Sequence, residues 1–140
     1  MRVAFPSGTR SAPFDRNPST VDTGSVAEPV AGSTSTLATY TVPANRRAKI
    51  SVQIATSIKT VLGAAQNADG TITSTPSGGG IQVVHQSQWY PTAPAQSRDG
   101  SPAVVMELKA GDLVLVQTHL DAGTGLIHAS GSIVGVEYDA

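Results

Sequence analysis

The chain of 140 residues contains no cysteine and few charged residues, and both absences limit what it can do. Without cysteine there is no disulfide framework and no thiolate chemistry. Lys, Arg, Asp and Glu together make up 14 % of the chain, whereas about 25 % is usual in soluble proteins. The net charge of -1 argues against a nucleic-acid or membrane binder, because either would usually carry a basic patch.

Long apolar runs are missing as well. The chain opens with Met1, Arg2, Val3, Ala4 and Phe5 and then reaches a proline, which does not resemble the apolar core of a signal peptide. No stretch approaches the roughly 20 apolar residues that a membrane span needs. We therefore expect the chain to be made in the cytoplasm.

The first 36 residues lack Leu, Ile and Trp, and half of them are Pro, Ser, Thr or Gly. Burying their six large hydrophobic side chains would contribute about 9–18 kcal/mol. Ordering the backbone costs about 1–2 kcal/mol per residue, which exceeds that gain. We therefore predict an extended arm over residues 1–36, ordered by a partner surface or a sister subunit, and a β domain over residues 37–140. The alternative is an arm that folds back on its own domain.

The residues predicted to bind a partner are the arginines and large hydrophobic residues in the first half of the arm. The arginines make this segment mildly basic, which suits an acidic partner surface. These predicted contact residues are Arg2, Val3, Phe5, Arg10, Phe14 and Arg16.

The strongest periodicity in the chain lies at residues 48–59, where apolar and polar residues alternate strictly. A period of two predicts a β-strand with one buried and one solvated face. Further strands are predicted at residues 37–42, 81–90, 104–108, 113–118 and 126–138.

The segments between these strands are rich in Gly and Pro. Residues 63–80 and 91–102 are predicted as long loops, the first with a short strand near residues 71–73. Lys109-Ala-Gly-Asp112 is predicted to be a hairpin turn, and Gly131 and Gly135 to mark bulges or close contacts. With six or seven strands and no helical stripe, the fold class is all-β, a β-sandwich or jelly roll.

Residues suited to catalysis are sparse. His85, His119 and His128 are the only plausible metal ligands or bases, and a half-buried, hydrogen-bonded histidine is the favoured interpretation of His85. The His-x-His pair of cupin enzymes is missing, as is a Gly-x-Ser-x-Gly elbow. The acidic residues next to glycine are typical of turns. We therefore predict no enzyme, no metal and no cofactor.

Trp89 and Tyr90 form the one aromatic pair outside the arm. Exposed beside the loop that follows, they could stack on a sugar or form part of a protein interface. The alternative, which we favour, is that Trp89 fills the core and Tyr90 closes the strand end.

Three segments resemble known virion proteins. Residues 37–50 resemble the opening strand pair common in virion proteins of tailed bacteriophages. Residues 105–116 resemble the strand, Ala-Gly-Asp, strand hairpin of TNF/C1q-like jelly rolls, and residues 128–138 are similar to the last strand of those domains. With the arm in front, the whole resembles a capsid decoration (cement) protein of a tailed phage.

That resemblance implies a structural virion protein made in the host cytoplasm and placed on the capsid exterior. It implies homo-oligomers, dimers more than trimers, that bridge neighbouring major capsid protein subunits and stabilise the shell. No catalytic residues transfer.

Two other functions compete with capsid cement. A receptor- or glycan-binding head of a tail fibre or baseplate would use the two long loops, with Trp89 and Tyr90 as a stacking platform. A small cupin-like metalloenzyme would use the three histidines.

Overall fold

The computed structural model describes residues 16–27, 32–58, 68–89, 97–98, 103–120 and 127–140. They form two antiparallel β-sheets packed into a sandwich. The strands are β1 (Ser19–Ala27), β2 (Ser33–Thr41), β3 (Arg46–Ile58), β4 (Ala68–Thr75), β5 (Gln82–Trp89), β6 (Ser97–Arg98), β7 (Val104–Lys109), β8 (Leu113–Leu120) and β9 (Ile127–Asp139). None of the described residues belongs to a helix that is long and apolar enough to cross a membrane.

The strand order is that of a jelly roll. The front sheet has the order β1-β9-β3, and β6 and β7 both pair with the far side of β3. The back sheet has the order β2-β8-β4-β5. Along the chain, every step between successive strands changes sheet except those from β4 to β5 and from β6 to β7. The prediction of an all-β sandwich is confirmed.

The alternating pattern that predicted β3 also fills the core. The alternate apolar residues from Ala48 to Ile54 are buried between the sheets, while Lys49 and Gln53 on the other face are exposed. β8 contributes the facing layer from the back sheet, again with every second residue buried. The largest fully buried side chains are Ile72, Leu120, Ile133, Val42, Val52, Val114, Val116 and Thr118.

β1 and β6 lie where no strand was predicted, and β4 is longer than the short strand predicted near residues 71–73. β4 occupies much of the predicted loop at residues 63–80, and its alternate residues are buried although only Ile72 is a large hydrophobic residue. β1 lies in the predicted arm, pairs with β9 along its full length and buries Val21. β1 and β4 are rich in Thr, Ser and Gly, so they show little of the alternation between apolar and polar residues that predicts a strand.

The predicted boundary between arm and domain, at residue 36, falls inside β2. Part of the predicted arm lies in the two sheets: residues 19–27 form β1, and residues 33–36 begin β2. Neighbouring strands supply the backbone hydrogen-bond donors and acceptors that this segment could not supply by itself. The structure therefore moves the start of the sandwich to the beginning of β1, and the remaining residues of the predicted arm, 1–15, lie outside the described residues.

Gly131 and Gly135 lie in β9, whose register with β1 and β3 is continuous, so neither marks a bulge. Both instead mark close contacts, the other half of the prediction. A Cβ at Gly131 would lie 2.7 Å from Val116 Cγ1 in the back sheet. A Cβ at Gly135 would collide with the carbonyl oxygen of Lys49 in β3.

The predicted tight turn at residues 109–112 is present and is centred on a buried carboxylate, but the predicted hairpin is wrong. β7 pairs with β3 in the front sheet and β8 with β2 and β4 in the back sheet, so the turn leads from one sheet to the other. Gly111 has a φ of 86°, a conformation that favours glycine. The Asp112 carboxylate accepts hydrogen bonds from the backbone N–H of Lys109 at 2.8 Å and of Ser77 at 2.9 Å. Asp112 thereby joins the turn between β7 and β8 to the turn between β4 and β5.

Candidate functional site

Most of the predicted contact residues lie outside the described part of the chain. These are Arg2, Val3, Phe5, Arg10 and Phe14 in the arm and Tyr90 after β5. Trp89 is the last residue of β5, and its backbone pairs with Ala68 of β4. Arg16 is the first described residue, and it shows where the arm joins the sandwich.

The junction with the arm is held by backbone and side-chain hydrogen bonds, and we call Arg16, Asn17, Arg46 and Asp139 the arm root. The N–H of Asp139 donates to the carbonyl oxygen of Arg16 at 2.8 Å, which extends the pairing of β1 with β9. The Asn17 amide donates to the Asp139 carboxylate. Asn17 has a φ of 51°, a left-handed conformation that asparagine tolerates well.

Arg46 connects the arm root to the last strand and to β1. Its guanidinium donates to the Asp139 carboxylate at 2.7 Å and lies 3.5 Å from that of Glu137. It also donates to the Ser19 hydroxyl at 3.1 Å. The side chains of Arg46 and Glu137 are 15 % and 18 % exposed, so this pair is shielded from solvent more than an ordinary surface pair, whereas Asp139 is 39 % exposed.

These contacts shift two pKa values in opposite directions. Hydrogen bonds from Arg46 and then Asn17 hold the pKa of Asp139 below its usual value. Burial, reinforced by a 2.7 Å hydrogen bond to Glu137, raises the pKa of Tyr40 above its usual value. Near neutral pH, Asp139 is therefore ionised and the Tyr40 hydroxyl remains a donor.

Basic residues concentrate at this end of the sandwich. One open cleft of about 440 Å³ is lined by Arg16, Arg47 and Lys49 together with acidic Glu107 and Asp139. A second cleft is lined by Arg46, Arg47 and Lys109. Five of the nine Lys and Arg residues in the chain therefore lie around the arm root.

An exposed apolar patch continues from the first cleft across the outer face of the front sheet. We call Val105, Val134 and Val136 the valine face; they are 75 %, 42 % and 38 % exposed. Ser51 pairs with both Val105 and Val134, so the three lie in one row across β7, β3 and β9. In the next row, Lys49 separates Val136 from Glu107 and lies over the Tyr138 ring at 5.3 Å.

The three histidines lie on three different faces and do not converge. His85 pairs with buried Ile72 and faces the space between the sheets. His119 lies on the outer face of the back sheet, where its Nδ1 is 3.0 Å from the Thr34 hydroxyl oxygen. His128 lies on the outer face of the front sheet. Within the described residues, no three His, Asp or Glu side chains form a group that could hold a metal ion.

The prediction for His85 holds in one respect and is wrong in another. The residue is partly buried, as expected. Its buried Nε2, however, has no hydrogen-bond partner among the described residues. The register of β5 shifts next to it, because Val84 is an extra residue between the pairs His85–Ile72 and Val83–Thr73.

Sequence reasoning named Arg16 as a partner contact and did not single out Arg46, Glu137 or Asp139, which the structure places beside it. Arg46 and Asp139 are separated by 93 residues, and they meet only because β3 and β9 pair from end to end. The one available signal was the position of these charges at the ends of predicted strands.

Neither a protein-family model nor a curated protein matches the chain. Among solved structures, a chain of the infectious bursal disease virus Gx strain is 11 % identical with a TM-score of 0.44, covering 90 % of this chain and 33 % of that one. A chain of the infectious bursal disease virus VP2 subviral particle is 13 % identical with a TM-score of 0.42, covering 89 % and 34 %. This chain therefore spans about a third of their length, and at these scores the likeness does not identify a family.

Proposed function

We propose that the protein is a structural virion protein that decorates and cements the outer surface of a phage capsid. In this role it bridges major capsid protein subunits and carries out no catalysis. The observation that carries the proposal is that Arg16, where the arm joins the sandwich, lines the same cleft as Lys49 and Glu107, which lie in the row next to the valine face on the outer face of the front sheet.

Two kinds of contact on one side suit a protein that must remain on a shell. The arm, now residues 1–15, would lie along a neighbouring capsid subunit and add a strand to an exposed sheet edge. The valine face would cover apolar surface next to it. Because the two contacts are tethered, release of one leaves the other in place, and the combined affinity exceeds that of either.

The charges at the arm root favour an acidic receiving surface. Arg2 and Arg10 precede Arg16 in the sequence, and Arg47, Lys49 and Lys109 line the adjoining clefts. Shell binding should therefore weaken as salt rises, since exposed charges are screened over about 8–10 Å at physiological ionic strength. A hydrophobic contact alone would lack this salt dependence.

The direct test is co-sedimentation of the full-length protein with undecorated capsids of the phage that encodes it. We expect the wild type to bind and a variant with Val3, Phe5 and Phe14 replaced by alanine to lose at least ten-fold in affinity. Gln86→Ala, an exposed change in β5, is the matched control and should bind like the wild type. If the triple variant binds capsids with the affinity of the wild type, the arm does not hold the protein on the capsid.

If the wild type fails to bind capsids at all, the cement proposal is wrong. The glycan-binding alternative would then predict a signal on an array of bacterial surface glycans. That signal should be lost in Trp89→Ala and Tyr90→Ala, because stacking on aromatic rings would carry the contact.

A further inference from the structure

One lateral edge of the sandwich is formed by two long strands that follow each other in the sequence. β1 ends the front sheet and β2 ends the back sheet, and among the described residues each pairs on one side only. Both strands have nine residues. The Ser25 hydroxyl of β1 donates to the Leu37 carbonyl of β2 at 2.6 Å, so the two edges lie directly over one another.

β1 lacks the features by which proteins usually protect an edge strand. Such protection comes from bulges, prolines, short strands and charged side chains, above all lysine. β1 contains no proline, keeps an unbroken register with β9, and carries one charged residue, Asp22. β2 carries none. Within the described part of the chain, the outer edge of β1 therefore offers a straight row of backbone donors and acceptors to another strand.

The partner that fits this edge is a second copy of the same chain. Two antiparallel strands related by a two-fold axis offer each other identical donors and acceptors, so the pairing closes without leaving a new edge for further copies. The near absence of charge removes both repulsion between two copies and attraction to a charged foreign strand. An axis normal to the sheets would also bring β2 to face its own copy.

We propose that the protein forms a two-fold dimer in which β1 pairs antiparallel with β1 of the second copy, centred on Thr23. Thr23 is the middle residue of the strand. In this register Asp22 faces Gly24 of the other copy, so the two carboxylates are not directly opposed. The front sheets of the two copies become one continuous sheet.

This inference names the surface for the self-association that forms part of the proposed function. It is tested in solution without capsids, so the dimer and the cement role can fail separately. Because the chain has no cysteine, one introduced cysteine reports one position, and the test uses Thr23→Cys in the full-length chain.

After mild oxidation, Thr23→Cys should give mostly disulfide-linked dimer on a denaturing gel. Val26→Cys, on the same strand, should stay monomeric there, since its copy would lie about 20 Å away at roughly 3.3 Å per residue. Gln86→Cys, on the opposite lateral edge, should also stay monomeric. Sedimentation of the untreated wild type should give twice the chain mass.

Three results would overturn the proposal. If the wild type remains monomeric at high micromolar concentration, β1 does not pair with a second copy, and its edge would be available to a strand of another protein. A dimer that links through Gln86→Cys would place the interface at the opposite edge. A dimer that links through Val26→Cys and not through Thr23→Cys would rule out pairing about the centre of β1.

Discussion

The two lateral edges of the sandwich differ in what they offer to a partner. The edge of β1 and β2 presents two nine-residue strands that carry one charge and mainly polar exposed side chains, with Val26 as an exposed exception. β1 keeps an unbroken register, whereas β2 has a bulge between Thr36 and Ala38. The opposite edge has a shifted register in β5 and, on the front sheet, strands of two and six residues. Near it, Ile81 and Val83 are 73 % and 60 % exposed.

An unbroken row of backbone hydrogen-bonding groups is therefore available along β1, whereas the edge at β5 has a shifted register and several exposed apolar side chains. A regular strand can accept another strand, whereas an irregular edge with exposed hydrophobic residues can only be covered by complementary side chains. We therefore expect partner strands to add at the β1 edge and not at the β5 edge. Four predictions test the contacts that hold these edges in place. Three concern substitutions, and the fourth concerns the loss of stability in acid.

The largest effect is expected from Gly135→Ala, which acts on the β1 edge through β9. The added methyl group would collide with the Lys49 carbonyl oxygen and push β9, together with β1, away from β3. We expect a loss of about 3 kcal/mol in the free energy of unfolding, the upper range for overpacking, measured by urea denaturation. Gly80→Ala is the control: a Cβ at this position would have no other atom within 4 Å, and the substitution should cost less than about 0.5 kcal/mol. Equal stability of the two variants would contradict the packing described for β9.

The next effect is expected from Asp112→Ala, which acts on the turn beside β5. The substitution leaves the N–H groups of Lys109 and Ser77 without their acceptor, and each buried donor left unpaired costs about 1–3 kcal/mol. We expect a total loss of about 2–3 kcal/mol, with faster amide exchange at the turn between β4 and β5. Asp112→Asn, which keeps one side-chain acceptor, should lose about half as much. If both variants match the wild type, Asp112 does not hold this turn.

A smaller loss is expected from Arg46→Ala at the arm root. It removes the ion pairs with Glu137 and Asp139 and the hydrogen bond to Ser19. Since Arg46 is largely shielded, we expect a loss of about 1–2 kcal/mol. Arg47→Ala, at an exposed neighbouring position, should change stability by less than about 0.5 kcal/mol. Amide exchange should quicken at the start of β1 and not in β5; uniform quickening would contradict a local role.

The smallest effect should appear only in acid, at Asp139. Its pKa is lower in the folded protein than in the unfolded chain, so its contribution is present above about pH 4 and is lost as pH falls through the folded value. Thermal unfolding followed from pH 6 to pH 2 should show a steeper acid loss for the wild type than for Asp139→Asn. Parallel curves would show that Arg46 and Asn17 do not favour the ionised form.

The sequence predicted the strands that contain regular hydrophobic alternation and missed those that do not. β3 was evident because Ala48, Ile50, Val52 and Ile54 alternate with polar residues. β1 was missed, and β4 was predicted only as a short strand near residues 71–73, because their periodic positions are filled mainly by Ser, Thr, Gly and Ala. Their burial depends on neighbouring strands, and a local pattern does not contain that information.

The sequence indicated that contact residues lie in an arm at the start of the chain, but not which residues of the sandwich surround the base of that arm. Pro, Ser and Thr at the start of the chain indicated an arm, and Arg16 was among its predicted contacts. The arm root required Arg46 and Asp139 to meet across the full length of β3 and β9. The valine face required the register that brings Val105 and Val134 to the two sides of Ser51.

Amide hydrogen exchange of the full-length protein, alone and bound to undecorated capsids, tests the central claim most directly. We predict that residues 1–15 become protected only on the capsid, while both alternating sets of amides in β1 are already protected in solution by the second copy. Residues 1–15 that exchange equally fast with and without capsids would contradict the claim that the arm holds the protein on the shell.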